Sequence, residues 1–126
     1  MIAHNWQEKT ILIVEDEHIN FRYLQEIIKK TQAQILRAEN GFDAVDVARN
    51  NKLDLILMDI KLPVMDGYEA TRQIREFNKN VPIIAQTAYV MSGEEEKTKQ
   101  AGCNDYLTKP LRIKTVLETL AKYLDA

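Results

Sequence analysis

The sequence is poor in the residues that staple, break or loosen a chain. It has one cysteine, Cys103, among 126 residues, so it can form neither an internal disulfide nor a cysteine zinc site. That points to a reducing, cytoplasmic compartment. Three prolines and four glycines are too few for a collagen-like or low-complexity chain. No apolar run approaches the roughly 20 residues needed to span a bilayer, and the N-terminus lacks a signal-peptide core. Net charge is only −2, with acids and bases mixed along the chain. It therefore carries no electrostatic footprint for nucleic acid or an anionic membrane. What remains is a globular composition, 45% hydrophobic and 29% charged, long enough for a single domain with its own core.

Short apolar runs alternate with longer amphipathic ones. "TILIVE" (10–15), "AQILRA" (33–38), "LDLILMD" (53–59), "VPIIAQ" (81–86) and "NDYLT" (104–108) have the Ile, Leu and Val content of strands. The last amphipathic segment places Ile113, Val116, Leu117, Leu120, Ala121 and Leu124 on one helical face. Earlier helices present Leu24, Ile27 and Ile28, then Ala70, Ile74 and Phe77, with Asp66 placed to cap the third. Gly41 and Gly102 punctuate element boundaries. Strict alternation predicts an α/β fold: one doubly wound, five-stranded parallel sheet with helices on both faces. Right-handed crossovers favour the flavodoxin-like strand order 2-1-3-4-5. The predicted domain spans residues 10–126. Residues 1–9, with His4 and Trp6, read as a polar leader or linker remnant.

One helical segment stands apart. "SGEEEKTKQAG" (92–102) has almost no apolar stripe, and its acids precede its lysines as the helix dipole prefers. It is either a weakly anchored moving part or a merely solvated surface helix.

In such sheets function sits beyond the carboxyl ends of the strands. Strand 1 runs into Glu15 and Asp16, strand 3 ends in Asp59, strand 4 ends near Thr87, and strand 5 near Thr108, Lys109 and Pro110. Three clustered carboxylates repel unless a cation sits among them, and all-oxygen ligands suit a hard divalent ion such as Mg²⁺. The loop "VEDEHIN" (14–20) has no glycine and three acids, unlike a nucleotide or flavin phosphate cradle. A Ser-centred nucleophile elbow is also missing. Asp59, carried by a greasy strand, remains as a carboxylate nucleophile.

"ILIVEDE", "LILMDIKLPVMDGYEATRQIR", "PIIAQTAY" and "DYLTKPL", in this order, resemble the receiver domain of two-component response regulators over roughly residues 10–124. The resemblance implies that Asp59 accepts a phosphoryl group from a phosphohistidine as an acyl phosphate. Glu15, Asp16, Asp59 and the backbone carbonyl of Lys61 would hold Mg²⁺ or Mn²⁺. The first acid is Glu where Asp is commoner, and Asp16 is expected to ligate directly with Glu15 acting through water. Lys109 would pair with the phosphoryl group, and the Lys109–Pro110 bond matches one that is cis in the family. Thr87 and Tyr106 match the switch pair, coupling to a surface formed by helix 4, strand 5 and helix 5. The side chains of Lys61 and Tyr89 flank the path of an attacking water and would shield a fairly long-lived phosphate.

The implied partner is a sensor histidine kinase or histidine phosphotransfer domain, and the implied state a monomer or a phosphorylation-dependent dimer. Such a module is not a conventional enzyme but catalyses its own phosphorylation and dephosphorylation. Two rivals stand beside it: an aspartyl-phosphate phosphatase, opposed by Lys61 where a second Asp is needed, and an interaction domain with a dead site. The wording around Asn20 and "LPVMDGYEATRQIR" leans toward a hybrid-kinase receiver. His18 is expected to be exposed, and Cys103 to be a small buried residue.

Overall fold

The computed structural model describes residues 4–88 and 93–125. Ten elements alternate along the chain: β1 (Thr10–Val14), α1 (His18–Lys29), β2 (Gln34–Ala38), α2 (Gly41–Asn50), β3 (Leu55–Asp59), α3 (Gly67–Phe77), β4 (Ile83–Thr87), α4 (Glu94–Ala101), β5 (Asp105–Thr108) and α5 (Ile113–Leu124). The strands form one parallel sheet in the order β2-β1-β3-β4-β5, as the alternation predicts. Register is set by pairs such as Ile13 with Leu57 and Asp59 with Gln86.

Side chains on successive strand residues point to opposite faces, and the sheet uses both. Leu12, Val14, Ile56, Met58, Ile83 and Ala85 pack with Ala44 and Val45 of α2 and Ala70 and Ile74 of α3. Ile11, Ile13, Leu55, Leu57, Ile84 and Leu107 pack on the other side with Leu24 and Ile28 of α1 and Val116 and Leu120 of α5. β3 lies at the sheet centre and every one of its residues is buried. Each such Leu or Ile removed from water contributes about 1.5–3 kcal/mol. Among the described residues no helix is long and apolar enough to cross a membrane.

Three readings of the sequence need correction. Trp6, placed in a polar leader, is buried at 2% exposure in the α1/α5 core. Its indole N–H donates to Asp125 Oδ1 at 2.6 Å, while His4 stacks on it and sits 3.2 Å from Asp125 Oδ2. A lone aromatic ahead of a strand has no periodic partners in sequence, so only the tertiary fold reveals its place. Phe77 and Ile113, assigned to apolar faces, are 39% and 54% exposed at helix ends. The Arg49 guanidinium lies 4.9 Å above the Phe77 ring instead. Periodicity continues to the last residue of a pattern, but packing stops where the sheet no longer lies beneath.

Candidate active site

The β3 strand places Asp59 at the carboxyl edge of the sheet, 3% exposed. The start of α3 fixes that placement. Gly67 N–H donates to Ile60 O at 2.9 Å, which brings the first residue of α3 against the end of β3. A Cβ on Gly67 would stand 2.3 Å from the Asp59 carbonyl oxygen, so this approach needs glycine. Asp66 caps α3 by accepting from Glu69 N–H at 2.9 Å, as expected from sequence. The intervening loop holds Val64 at φ 68°, in the left-handed region and almost fully exposed.

Glu15 follows β1 and is completely buried. Its backbone N–H donates to Ala38 O at 3.0 Å, which continues the β1–β2 ladder by one residue. Arg37, lying over the Phe21 ring at 4.5 Å, donates from Nε and Nη2 to the Glu15 carbonyl at 3.3 and 3.1 Å. Carboxylate oxygens of Glu15, Asp16 and Asp59 all lie within 4.8 Å of one another, with Asp16 exposed. Lys109 Nζ, on the loop after β5, approaches Asp59 Oδ2 at 3.4 Å and Glu15 Oε1 at 3.7 Å. Lys61 N–H donates to Asp59 Oδ1 at 3.2 Å. Glu15 Oε2 accepts from Glu17 N–H at 3.2 Å.

Burial, and then the Asp59 carboxylate, push the Glu15 carboxyl up to about 7; Lys109 and the Glu17 N–H only partly oppose this. Its Oε1 is buried without a hydrogen-bond partner among the described residues. A buried carboxylate oxygen that makes no hydrogen bond, with only Lys109 Nζ at 3.7 Å and two further carboxylates close by, is a donor set a hard divalent cation takes, so these residues fit such an ion.

The crevice enclosed here measures about 550 Å³ and includes Asp16, Asp59, Lys61, Thr87 and Lys109. Thr87 ends β4 opposite Thr108, and its carbonyl accepts from Lys109 N–H at 2.8 Å. The Lys109–Pro110 peptide is cis. Tyr106 is partly buried against the α2/α3-side core, one residue beyond Asp105 on β5. Cys103 is buried and His18 is exposed at the start of α1, both as expected. Tyr89 lies outside the described residues.

Two participants escaped the sequence reading. Tyr68 and Glu94 also line the crevice, and the Tyr68 hydroxyl donates to Glu94 Oε2 at 2.5 Å, linking α3 to α4. Burial first, then the Glu94 carboxylate, raise the Tyr68 phenol above its ordinary range, so it stays a neutral donor. No sequence pattern signals a pair this far apart.

A buried strand that presents an acid to two further acids and a lysine is the arrangement that the resemblance to receiver domains implies. The chain belongs to the response regulator receiver domain family, whose model matches residues 11–121. It is 38% identical over 118 residues to the polar-differentiation response regulator DivK of Brucella anthropi, covering 92% of this chain and 96% of that protein. The receiver domain of sensor histidine kinase PA1611 from Pseudomonas aeruginosa, crystallised with a magnesium ion coordinated in its active-site cleft, superposes with a TM-score of 0.87. It is 38% identical and covers 94% of this chain and 98% of that one. The receiver domain of Ssk1 from Saccharomyces cerevisiae, co-crystallised with the histidine phosphotransfer protein Ypd1, gives a TM-score of 0.89 at 33% identity. There the coverage is 99% of this chain and 92% of that one. The chain is thus a receiver domain of two-component signalling, with an acidic pocket compatible with Mg²⁺ and phosphoryl acceptance.

Proposed function

We propose that Asp59 is the phosphoryl acceptor. The observation that carries this reading is its position: the end of a wholly buried strand, within reach of two other carboxylates and one ammonium. A carboxylate oxygen attacks phosphorus as the P–N bond of a phosphohistidine breaks, and the imidazole leaves with the electron pair. The donor is a sensor histidine kinase or a histidine phosphotransfer domain, as in the yeast complex with Ypd1. Glu15, Asp16, Asp59 and the Lys61 carbonyl would hold Mg²⁺, or Mn²⁺ in its place. When bound, that ion supplies positive charge against the phosphoryl oxygens.

Lys109 neutralises the acceptor before transfer and a phosphoryl oxygen after it, acting as a point charge on a flexible stem. Thr87 donates its hydroxyl to the new phosphoryl group, and Tyr106 turns inward as Thr87 moves. The response reaches the surface formed by α4, β5 and α5, because α4 buries only Thr98 and Ala101. The side chains of Lys61 and Tyr89 limit the approach of water and so lengthen the phosphate's life. The module acts in the cytoplasm, consistent with its buried free Cys103.

Incubation with acetyl phosphate and Mg²⁺ tests the acceptor. The intact mass is expected to rise by one phosphoryl group in the native chain and to stay unchanged in Asp59→Asn. Phosphorylation of the Asn variant at full yield would refute the assignment. Thr87→Ala should take up phosphate yet lose the spectral change at β5 and α5 that accompanies it in the native chain.

A further inference from the structure

The crevice around Asp59 carries more negative charge than its metal-ligand set accounts for. Its lining includes Asp16, Glu17, Asp59 and Glu94 against two cations, Lys61 and Lys109. Asp16 and Asp59 share the acidic cluster with Glu15, and Lys109 Nζ approaches both Asp59 and Glu15. Glu17 is exposed at the start of α1. Glu94 belongs to neither group, and it enters from α4, an element that supplies no other acid to the crevice.

Helix N-termini favour acids, and α4 begins with three, Glu94, Glu95 and Glu96. The other two are exposed, and Glu95 pairs with Lys99 at 3.7 Å along the helix surface. Only Glu94 is partly buried and turned into the crevice. The Tyr68 hydroxyl, from α3, tethers it there by donating to Oε2 at 2.5 Å. Lys97, one turn along, reaches Oε1 at 3.7 Å, but its side chain is 65% exposed and so offsets the carboxylate only weakly. An acid that served the helix dipole alone would need no tether from another helix.

A carboxylate fixed beside a phosphoryl site acts on whatever brings the phosphoryl group. Like charges brought together in a cleft raise the energy of encounter, and specificity is often built from such a repulsive element. Two classes of donor differ in this respect. An acyl phosphate arrives as a dianion with no group that takes a proton at neutral pH. A phosphohistidine has a second ring nitrogen, which protonates near neutral pH and sets a positive charge beside the phosphoryl group. With either donor an Asp59 oxygen forms the bond to phosphorus. The bond that breaks is P–O with a carboxylate leaving, or P–N with imidazole leaving, and the leaving group takes the electron pair.

We propose that Glu94 is a specificity-determining residue for the phosphoryl donor: its carboxylate, held by Tyr68, disfavours acyl phosphates relative to a histidine-borne phosphoryl group. The inference rests on Asp59 as the acceptor. It requires no contact between Glu94 and the metal or Asp59, only a fixed negative charge in the same crevice. The domain thereby keeps its partner's signal apart from small acyl phosphates in solution.

Initial phosphorylation rates with Mg²⁺, read by intact mass, test this with two small donors. Acetyl phosphate is a dianion. Phosphoramidate, whose nitrogen is protonated, is a monoanion with the P–N bond of a phosphohistidine. Glu94→Gln keeps an acceptor for the Tyr68 hydroxyl but removes the charge. It should raise the acetyl phosphate rate about threefold and the phosphoramidate rate by less than about twofold. Tyr68→Phe frees the carboxylate to turn out to solvent and should shift the ratio of the two rates in the same direction. Glu95→Gln makes the same change of net charge on the exposed side of the same turn and should leave the native ratio. The gain in Glu94→Gln should shrink as salt is raised from about 0.05 to 0.5 M. The proposal is overturned if Glu94→Gln leaves the acetyl phosphate rate unchanged, if it raises both rates by the same factor, or if Glu95→Gln matches it. Mass gain at the native rate in Asp59→Asn would instead refute the acceptor reading, and this inference with it.

Discussion

The two sides of the crevice are built to different tolerances. On one side β1, buried from Ile11 to Val14, leads into Glu15 and the wholly buried β3 delivers Asp59, and α3 is clamped against the end of β3 by the close approach of Gly67. α3 has a side-chain cap and buries Gly67, Ala70, Thr71 and Ile74. On the other side α4 has no side-chain cap, starts from a left-handed Gly93 whose Cβ would meet nothing within 4 Å among the described residues, and buries two residues. Asp59, the proposed acceptor, is held by close packing. α4, the helix proposed to respond, is held by little, and the Tyr68–Glu94 hydrogen bond is one of its ties to the rigid side. A switch needs this asymmetry: a fixed place for the chemistry and a neighbour whose two positions differ by a few kcal/mol.

The sharpest way to break the comparison is a methyl group on each helix start. Gly67→Ala must drive α3 away from the Asp59 carbonyl, and urea unfolding should show a loss of about 3 kcal/mol. A loss below that of Gly93→Ala would mean that the acceptor side is not the rigid one.

The buried acid gives the next largest effect. Glu15 folds with its carboxyl raised to about 7 from 4.5, so the folded state binds the proton more tightly than the unfolded chain. Its contribution to stability is therefore present below pH 4.5 and lost as pH rises through 7. Glu15→Gln should remove that loss, and at about pH 8 without divalent cation it should be the more stable protein by about 2 kcal/mol. Below pH 4.5 the two should coincide. Equal stabilities at both pH values would show that the Glu15 carboxylate is not strained.

On the loose side, Gly93→Ala meets no neighbour among the described residues and bears the cost of φ 96°, so about 1 kcal/mol should be lost. The smallest change runs the other way. Val64 is β-branched, 91% exposed and held at φ 68°, so Val64→Asn should raise stability by about 0.5 kcal/mol in the same unfolding assay.

Much of the rigid side was legible in the sequence, because its signals are local and periodic. The apolar run ending in Asp59, the Glu15–Asp16 pair and the Asp66 cap each announce themselves within a few residues, and strict alternation then dictates their neighbours. The rest depends on contacts between distant segments. Trp6 finds its place only once the end of α5 brings Asp125 to it, and Tyr68 meets Glu94 across two elements.

The strand order carries a consequence for synthesis. β1 is made first, yet its partner β3 arrives some forty residues later, and the Lys109 that bridges Asp59 and Glu15 comes another 50 residues after Asp59. A chain emerging N-terminus first can set β1 beside β3 and bring two carboxylates together before their counter-charge has left the ribosome. Mutual repulsion then works against closing the centre of the sheet until β5 docks. The residues proposed to take the phosphoryl group thus also tie the domain's assembly to the completion of its last strand.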